Sequence, residues 1–199
     1  KSLAEYQKAL AADPKNAAAY LHMAQIYSAT GKSDQALDSL QKALAIQPNS
    51  TTLNTAMGDV YMAKGDLKNA GKYFQTALSE NAHDPVAANN LAWVYAQEGD
   101  NLDMALSLAT QAKQIAPEMN NVNDTLAWIQ YKRGNYQVSV SVAEDAVRRA
   151  PENASFRYHL GMALMGAGDK DRARTELQKA LSLNLKGQDA QDAQKTLAS

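Results

Sequence analysis

Five glycines at a nearly constant spacing constrain this chain more than any other feature. Gly31, Gly65, Gly99, Gly134 and Gly168 are separated by 34, 34, 35 and 34 residues. A second series has the same spacing and consists mainly of proline: Pro14, Pro48, Ala82, Pro117, Pro151 and Leu185. Two series that stay in phase over the length of the chain indicate an array of internal repeats.

The residue pattern within each repeat predicts two antiparallel helices, A and B, joined at the glycine. The segment from Asp124 to Tyr136 has the pattern of an amphipathic helix that ends at Gly134, where a second helix begins. Glycine tolerates the positive φ needed just past a helix end, and proline keeps helix B from running into the next repeat. Val138–Val142 alternates like a strand, but its place in the array predicts helix B. The sequence therefore predicts an all-α fold.

The repeat markers also predict the domain organisation. We expect a single array over residues 1–199, in which the third repeat has one extra residue near Asn101 and hence a looser turn. A polar last helix suits a terminal cap, because no further repeat covers it. The predicted parts are a half repeat with helix B only (1–14), five full repeats (15–48, 49–82, 83–117, 118–151 and 152–185) and a C-terminal capping helix (186–199).

Composition excludes several classes of function. With 45% hydrophobic residues the chain is not of the disordered class, and its net charge of −1 gives no electrostatic footprint for nucleic acid. The absence of Cys removes thiol catalysis, and no apolar run approaches the ~20 residues of a membrane span. His22, His83 and His159 lie in different repeats, without the spacing of a metal site. We therefore expect no cofactor, no metal, no direct membrane insertion and no enzymatic activity.

Small and large residues recur in phase along the array. Helix A carries a small residue at Ala24, Gly58, Ala92, Ala127 and Gly161, and helix B carries one at Ala43, Ala77, Ala112, Ala146 and Ala180. With the 34-residue period, this pattern resembles the tetratricopeptide repeat (TPR) family from Ser2 to Leu185. The resemblance implies a right-handed α-solenoid, the TPR superhelix of antiparallel helix pairs, whose A helices line a concave groove that binds segments of other proteins.

Three segments are similar to a narrower group. They are the stretches Asn89–Tyr95, Asp124–Trp128 and Arg157–Ala163, and they look like the C-terminal repeats of bacterial TPR lipoproteins of exopolysaccharide and PEP-CTERM (exosortase) systems. This resemblance implies a place in a larger assembly on the periplasmic side of a bacterial envelope.

The TPR resemblance also implies which residues of each A helix face the groove. These positions are small or polar in the first two repeats and rich in aromatic and Met residues in the last three. Aromatic and Met side chains suit binding, because they bury a large area and adapt to varied partners. We predict a partner-binding site at Asn89, Trp93, Asn121, Asp124, Trp128, Tyr131, Tyr158, Met162 and Met165.

Two alternatives stay open at this point. Helix B carries only Ala109 and Ala143 where other repeats have a large residue, so Trp93 and Trp128 could fill that space as core instead of lining the groove. The second alternative concerns the whole chain, which could be a structural spacer or self-association module of a longer superhelix. The first helix lacks a preceding partner helix, so we expect an apolar surface and end-to-end association through Leu3, Tyr6 and Leu10.

Overall fold

The computed structural model describes residues 2–99 and 101–198, and these residues form helices and turns without a strand. The prediction of an all-α fold is confirmed. In the described residues the helices are α1 (Leu3–Ala12), α2 (Ala17–Ala29), α3 (Ser33–Ile46), α4 (Thr51–Ala63), α5 (Leu67–Glu80), α6 (Pro85–Glu98), α7 (Leu102–Ile115), α8 (Asn120–Lys132), α9 (Tyr136–Arg149), α10 (Ala154–Ala167), α11 (Lys170–Ser182) and α12 (Gly187–Ala198).

The chain divides into two compact units, Lys1–Val94 and Tyr95–Ser199, with the boundary inside α6. In unit 1, α2 packs against α3 and α4 against α5 as helix pairs, and α3 also contacts α4. In unit 2, α8 pairs with α9 and α10 with α11, while α10 also lies against α8 and α9. Within each unit, successive pairs therefore stack as the repeat period predicts.

The helix pairs turn at the predicted glycines. Gly31, Gly65, Gly99, Gly134 and Gly168 have φ of 73, 77, 76, 77 and 87°. A side chain with a Cβ is strained in this left-handed region, which explains why glycine recurs at each turn. In four of these turns the residue after the glycine donates its N–H to a carbonyl five residues back, as Asp66 does to Tyr61 at 2.9 Å. This is the hydrogen-bond pattern of a Schellman motif.

The turn of the third repeat differs from the equivalent turns in the two residues that flank Asp100. Asp100 itself lies outside the described residues. Gly99 and Asn101 both have positive φ, whereas the turns at Gly65 and Gly134 have it at the glycine alone. Asn101 is one of the few residue types that enter the left-handed region at small cost. The extra residue is accommodated by this second left-handed position.

Short polar side chains fix the starts of several helices. The Asn16 Oδ1 atom accepts from the N–H of Ala19 at 2.9 Å at the start of α2, and Asp66 does the same for Asn69 at 3.1 Å at the start of α5. Each bond satisfies an N–H that has no partner within its own helix. The Asn153 side chain caps α10 in the same way.

Close approach of the two helices in a pair depends on a small residue opposite a large one. A Cβ at Gly58 of α4 would lie 2.4 Å from the ring of Phe74 on α5, and a Cβ at Gly161 of α10 would lie 2.7 Å from Leu177 on α11. Phe74 and Leu177 are fully buried. The recurring small residues of helix A therefore provide the space that the large residues of helix B occupy.

The strand-like segment Val138–Val142 is helical, as its position in the array predicts. The Ser139 side chain is buried and donates its hydroxyl to the carbonyl oxygen of Ala127 on α8 at 2.7 Å. Other repeats have Ala at this position of helix B. The hydrogen bond allows Ser139 to pack against α8 without leaving a buried hydroxyl unsatisfied.

Two glycines of unit 1 give a matched test of this packing. Gly58→Ala should lower the free energy of unfolding by about 1–3 kcal/mol, because the new methyl group overlaps Phe74. Gly71→Ala, on α5, places its methyl group 3.4 Å from Val94 and should leave stability unchanged or raise it by up to about 1 kcal/mol through helix propensity. Urea unfolding followed by circular dichroism measures both, and equal losses in the two variants would contradict this account.

Candidate partner-binding surfaces

Unit 1 contains a cavity between α2 and α4. Its volume is about 350 Å³. Apolar side chains from these helices and from α3 line its floor, and Gln25, Ser28 and Asp59 supply polar atoms. The apolar lining residues are Leu21, Ala24, Ala29, Leu40, Ala56 and Val60. We refer to this cavity as the α2–α4 pocket.

A chain of hydrogen bonds leads away from the pocket across to α6. The Asn89 Nδ2 atom donates to Asn90 Oδ1 at 3.1 Å, and the Asn90 Nδ2 atom donates to Asp59 Oδ1 at 2.8 Å. Asp59 keeps an exposed surface but lies in a concave region, where the surrounding protein reduces solvation of its carboxylate. The reduced solvation raises the pKa of the Asp59 carboxyl. The hydrogen bond from the Asn90 amide opposes this rise, and the negative charge of Asp84 adds to it.

The two predicted site residues of unit 1 differ in how much surface they offer. Asn89 is only 2% exposed and its Oδ1 atom accepts no hydrogen bond from the described residues. Trp93 is half-buried. Asn89 therefore contacts the Asn90 side chain and offers almost no surface of its own. Asn90 is the residue that binds Asp59, and the sequence analysis did not select it for the site.

In unit 2 the predicted aromatic residues form a cluster around Trp128. The Trp128 ring stacks on Tyr131 with 4.9 Å between ring centroids, and it lies 6.1 Å from Tyr158 and 4.5 Å from His159. The Lys132 ammonium lies 5.1 Å from the centre of the Trp128 ring. Trp128 is only 6% exposed, and Tyr158 is also buried. Burial favours the core alternative for Trp128.

Asp124 is engaged inside the protein. Its Oδ1 atom lies 2.7 Å from Nδ1 of His159, and both side chains are buried. This contact joins α8 to α10, and the His159 ring also lies against Trp128. A buried carboxylate needs such a partner, because an unpaired one would lose its hydration without compensation. Asp124 is thus positioned to hold two A helices together.

The C-terminal helix α12 packs on α10 and α11, beside the aromatic cluster. Burial raises the pKa of the Tyr158 hydroxyl, and the carboxylates of Asp189 and Asp192 raise it further. The pKa of Asp189 is itself raised, mainly by burial. The Thr196 hydroxyl lies 3.9 Å from the sulfur of Met162. Part of the surface predicted to bind a partner in unit 2 therefore contacts the chain's own last helix.

The remaining predicted residues keep some surface. Asn121 is exposed, and Tyr131, Met162 and Met165 are half-buried. Met165 also packs against the core of unit 2. A binding role for these residues stays a prediction.

The first helix lies against α2. The Tyr6 ring stacks on His22 with 5.1 Å between centroids, and Leu3 and Leu10 are half-buried like Tyr6. Association of copies through these three residues stays a prediction.

The arginines of the last third of the chain are largely engaged by acids. Arg157 binds Glu176 at 2.6 Å, Arg172 contacts Glu144, and Arg148 and Arg149 both reach Asp145. Over residues 2–99 and 101–198, no group of three potential metal-ligating side chains was found. No helix in the same residues is long and apolar enough to cross a membrane.

Family models place the chain among known proteins. One tetratricopeptide repeat model matches residues 55–120 and 125–195, and another matches residues 1–60. The chain belongs to the tetratricopeptide repeat family. No catalytic family is among these matches, and comparison with curated protein sequences gave no match.

Solved structures show the same fold at low identity. The Cut9–Hcn1 hetero-tetramer of APC/C contains a similar chain, with a TM-score of 0.86, 17% identity, and coverage of 99% of this chain but 39% of that one. PilW, a widely conserved type IV pilus biogenesis factor, has a TM-score of 0.77 at 21% identity over 95% of this chain and 87% of its own. YrrB, a TPR protein with an unusual peptide-binding site, has a TM-score of 0.66 at 20% identity over 98% of this chain and 100% of its own.

The α2–α4 pocket was not predicted from the TPR pattern. Its lining includes Gln25, Ser28 and Ala29, which occupy groove-facing positions of the first repeat. These positions are small or polar, whereas the pattern expected of a binding site is aromatic. The signal that could have found the pocket is the small size of these side chains, since it leaves open the space that aromatic residues fill elsewhere.

Stability measurements can separate the two roles proposed for tryptophan. Trp128→Ala should lower the free energy of unfolding by about 3–5 kcal/mol, because it removes a large buried ring from the aromatic cluster. Trp93→Ala is the matched control and should cost less, because Trp93 is only half-buried. Thermal and urea unfolding measure both. An unchanged unfolding midpoint for Trp128→Ala would show that the ring does not support unit 2.

Proposed function

We propose that this TPR chain is a protein–protein interaction scaffold that holds a segment of a partner protein against the A helices of unit 1. The observation that carries the proposal is the α2–α4 pocket, with its apolar floor and polar rim. Ligand sites in proteins commonly combine a cavity of ~300–1,000 Å³ with a few well-placed polar groups. A volume of about 350 Å³ suits one large side chain of a bound segment.

The position of the pocket also supports binding of a polypeptide. Three of its lining residues, Gln25, Ser28 and Ala29, are exposed and occupy positions that face the groove in the TPR pattern. The Asn90–Asp59 pair stands beside it and offers hydrogen-bonding groups to a peptide backbone. YrrB, whose fold is similar, is described as having a peptide-binding site.

Unit 2 offers a second candidate surface, at Asn121, Tyr131, Met162 and Met165. These residues keep exposed area while Trp128 and Tyr158 support them from within. We place this surface second, because α12 already contacts Met162.

The setting of the scaffold is part of the proposal. Its support is the resemblance of Asn89–Tyr95, Asp124–Trp128 and Arg157–Ala163 to envelope-associated TPR lipoproteins. A larger bacterial assembly on the periplasmic side of the envelope is the corresponding environment.

A pocket-filling variant tests the proposal. A random peptide library displayed on phage is selected on the wild-type protein, and enriched peptides are synthesised for calorimetry. Ala29→Trp should weaken their binding at least tenfold, because the indole occupies the α2–α4 pocket. Ala45→Trp is the matched control, since it makes the same change at an exposed position of α3 outside the pocket lining.

The selection distinguishes the scaffold from a spacer. Enriched peptides that lose affinity in Ala29→Trp and keep it in Ala45→Trp support the proposal. Peptides that bind both variants like the wild type would place the site elsewhere, and a selection that enriches no peptide would favour a spacer without a dedicated peptide site.

A further inference from the structure

We propose that Asp59 recognises a lysine or arginine side chain of the partner segment, which enters the α2–α4 pocket with its aliphatic part against the apolar floor. This inference rests on the proposed function, because it assigns the chemistry of the residue that the pocket receives.

The first argument is the position of the carboxylate. Asp59 lines the pocket together with Ala56 and Val60 of the same helix. One of its oxygens, Oδ1, accepts the 2.8 Å hydrogen bond from Asn90. Its Oδ2 atom accepts no hydrogen bond from any residue of the described chain. One side of the carboxylate is thus oriented by α6 while the other remains available at the pocket.

The second argument is charge. Among residues 2–99 and 101–198, no lysine, arginine or histidine forms an ion pair with Asp59, although acids elsewhere in unit 1 do have such partners, as Asp34 and Asp38 have Lys64 and Lys42. The nearby charge that acts on Asp59 is that of another acid, Asp84. The pocket therefore presents a negative group that the described residues leave without a cation.

The shape of the pocket fits the same ligand. Lysine and arginine have apolar stems that pack on hydrophobic surfaces while their charged heads reach polar groups. The floor formed by Leu21, Ala24 and Val60 suits such a stem, and Asp59 stands where a head group can bind it. A purely apolar side chain would fill the floor but leave the carboxylate unpaired and less hydrated, which costs binding energy.

Peptide selection tests this chemistry directly. The same displayed library is selected on the wild type, on Asp59→Asn and on Asp38→Asn. Asp59→Asn keeps the size of the side chain and an oxygen that can accept from Asn90, while it removes the negative charge and replaces the second acceptor oxygen with an NH2 donor. Asp38→Asn is the matched control, because it removes one negative charge from an exposed position of α3.

Wild type and Asp38→Asn should both enrich peptides with a lysine or arginine at one fixed position, and Asp59→Asn should not. In calorimetry, a selected peptide should bind Asp59→Asn about tenfold more weakly, as expected for loss of a charge-assisted hydrogen bond. Replacing its basic residue by norleucine should weaken binding to the wild type by a similar factor. The two changes together should cost little more than either alone, because they remove the same interaction.

The outcomes separate this inference from the proposed function. Two outcomes would overturn the role of Asp59 and leave the pocket as the site. In the first, the peptides bind Ala29→Trp more weakly than the wild type but carry no fixed basic residue. In the second, they bind Ala29→Trp more weakly but bind Asp59→Asn like the wild type. Peptides insensitive to Ala29→Trp would overturn both. Circular dichroism of Asp59→Asn verifies that the variant keeps the helical fold and thermal midpoint of the wild type.

Discussion

The structure depends on the close approach of the two helices in a repeat, which a small residue on helix A permits opposite a large residue on helix B. Phe74 fits against Gly58, and Leu177 fits against Gly161, with no room for even a methyl group. Because each pair packs this tightly, the next pair stacks on it at a defined position. The inward residues of the A helices are then decided by the repeat and not by the local sequence.

The same constraint produces opposite results in the two units. In unit 1 the inward positions of the first repeat are Gln25, Ser28 and Ala29, whose small or polar side chains leave a cavity. In unit 2 the equivalent face carries Trp128 and Tyr158, which pack on each other and on His159, with α12 beside them. Trp128 and Tyr158 of unit 2 are therefore packed inside the protein, and the open space of unit 1 lies where the side chains are small.

Sequence reasoning found the fold because the repeat signal is long and redundant. The helix pairs, the glycine turns and the helical state of Val138–Val142 all follow from a period of 34 residues, and the extra residue near Asn101 marks the turn that differs. A binding surface is harder to predict than the fold, since a groove-facing position is exposed only if nothing packs over it. Trp128 has the identity expected of a binding residue, yet contacts from α10 bury it. A pocket, by contrast, is formed by residues of several helices. It can be located only when these helices are placed in three dimensions.

The central claim is that a partner segment binds at the α2–α4 pocket of unit 1. Amide hydrogen exchange of the whole chain, with and without a saturating peptide selected on the wild type, tests it most directly. Helices α2 and α4 should gain protection when the peptide binds, while α8 and α10 should exchange at unchanged rates. Protection confined to α8 and α10, with α2 and α4 unaffected, would contradict the account.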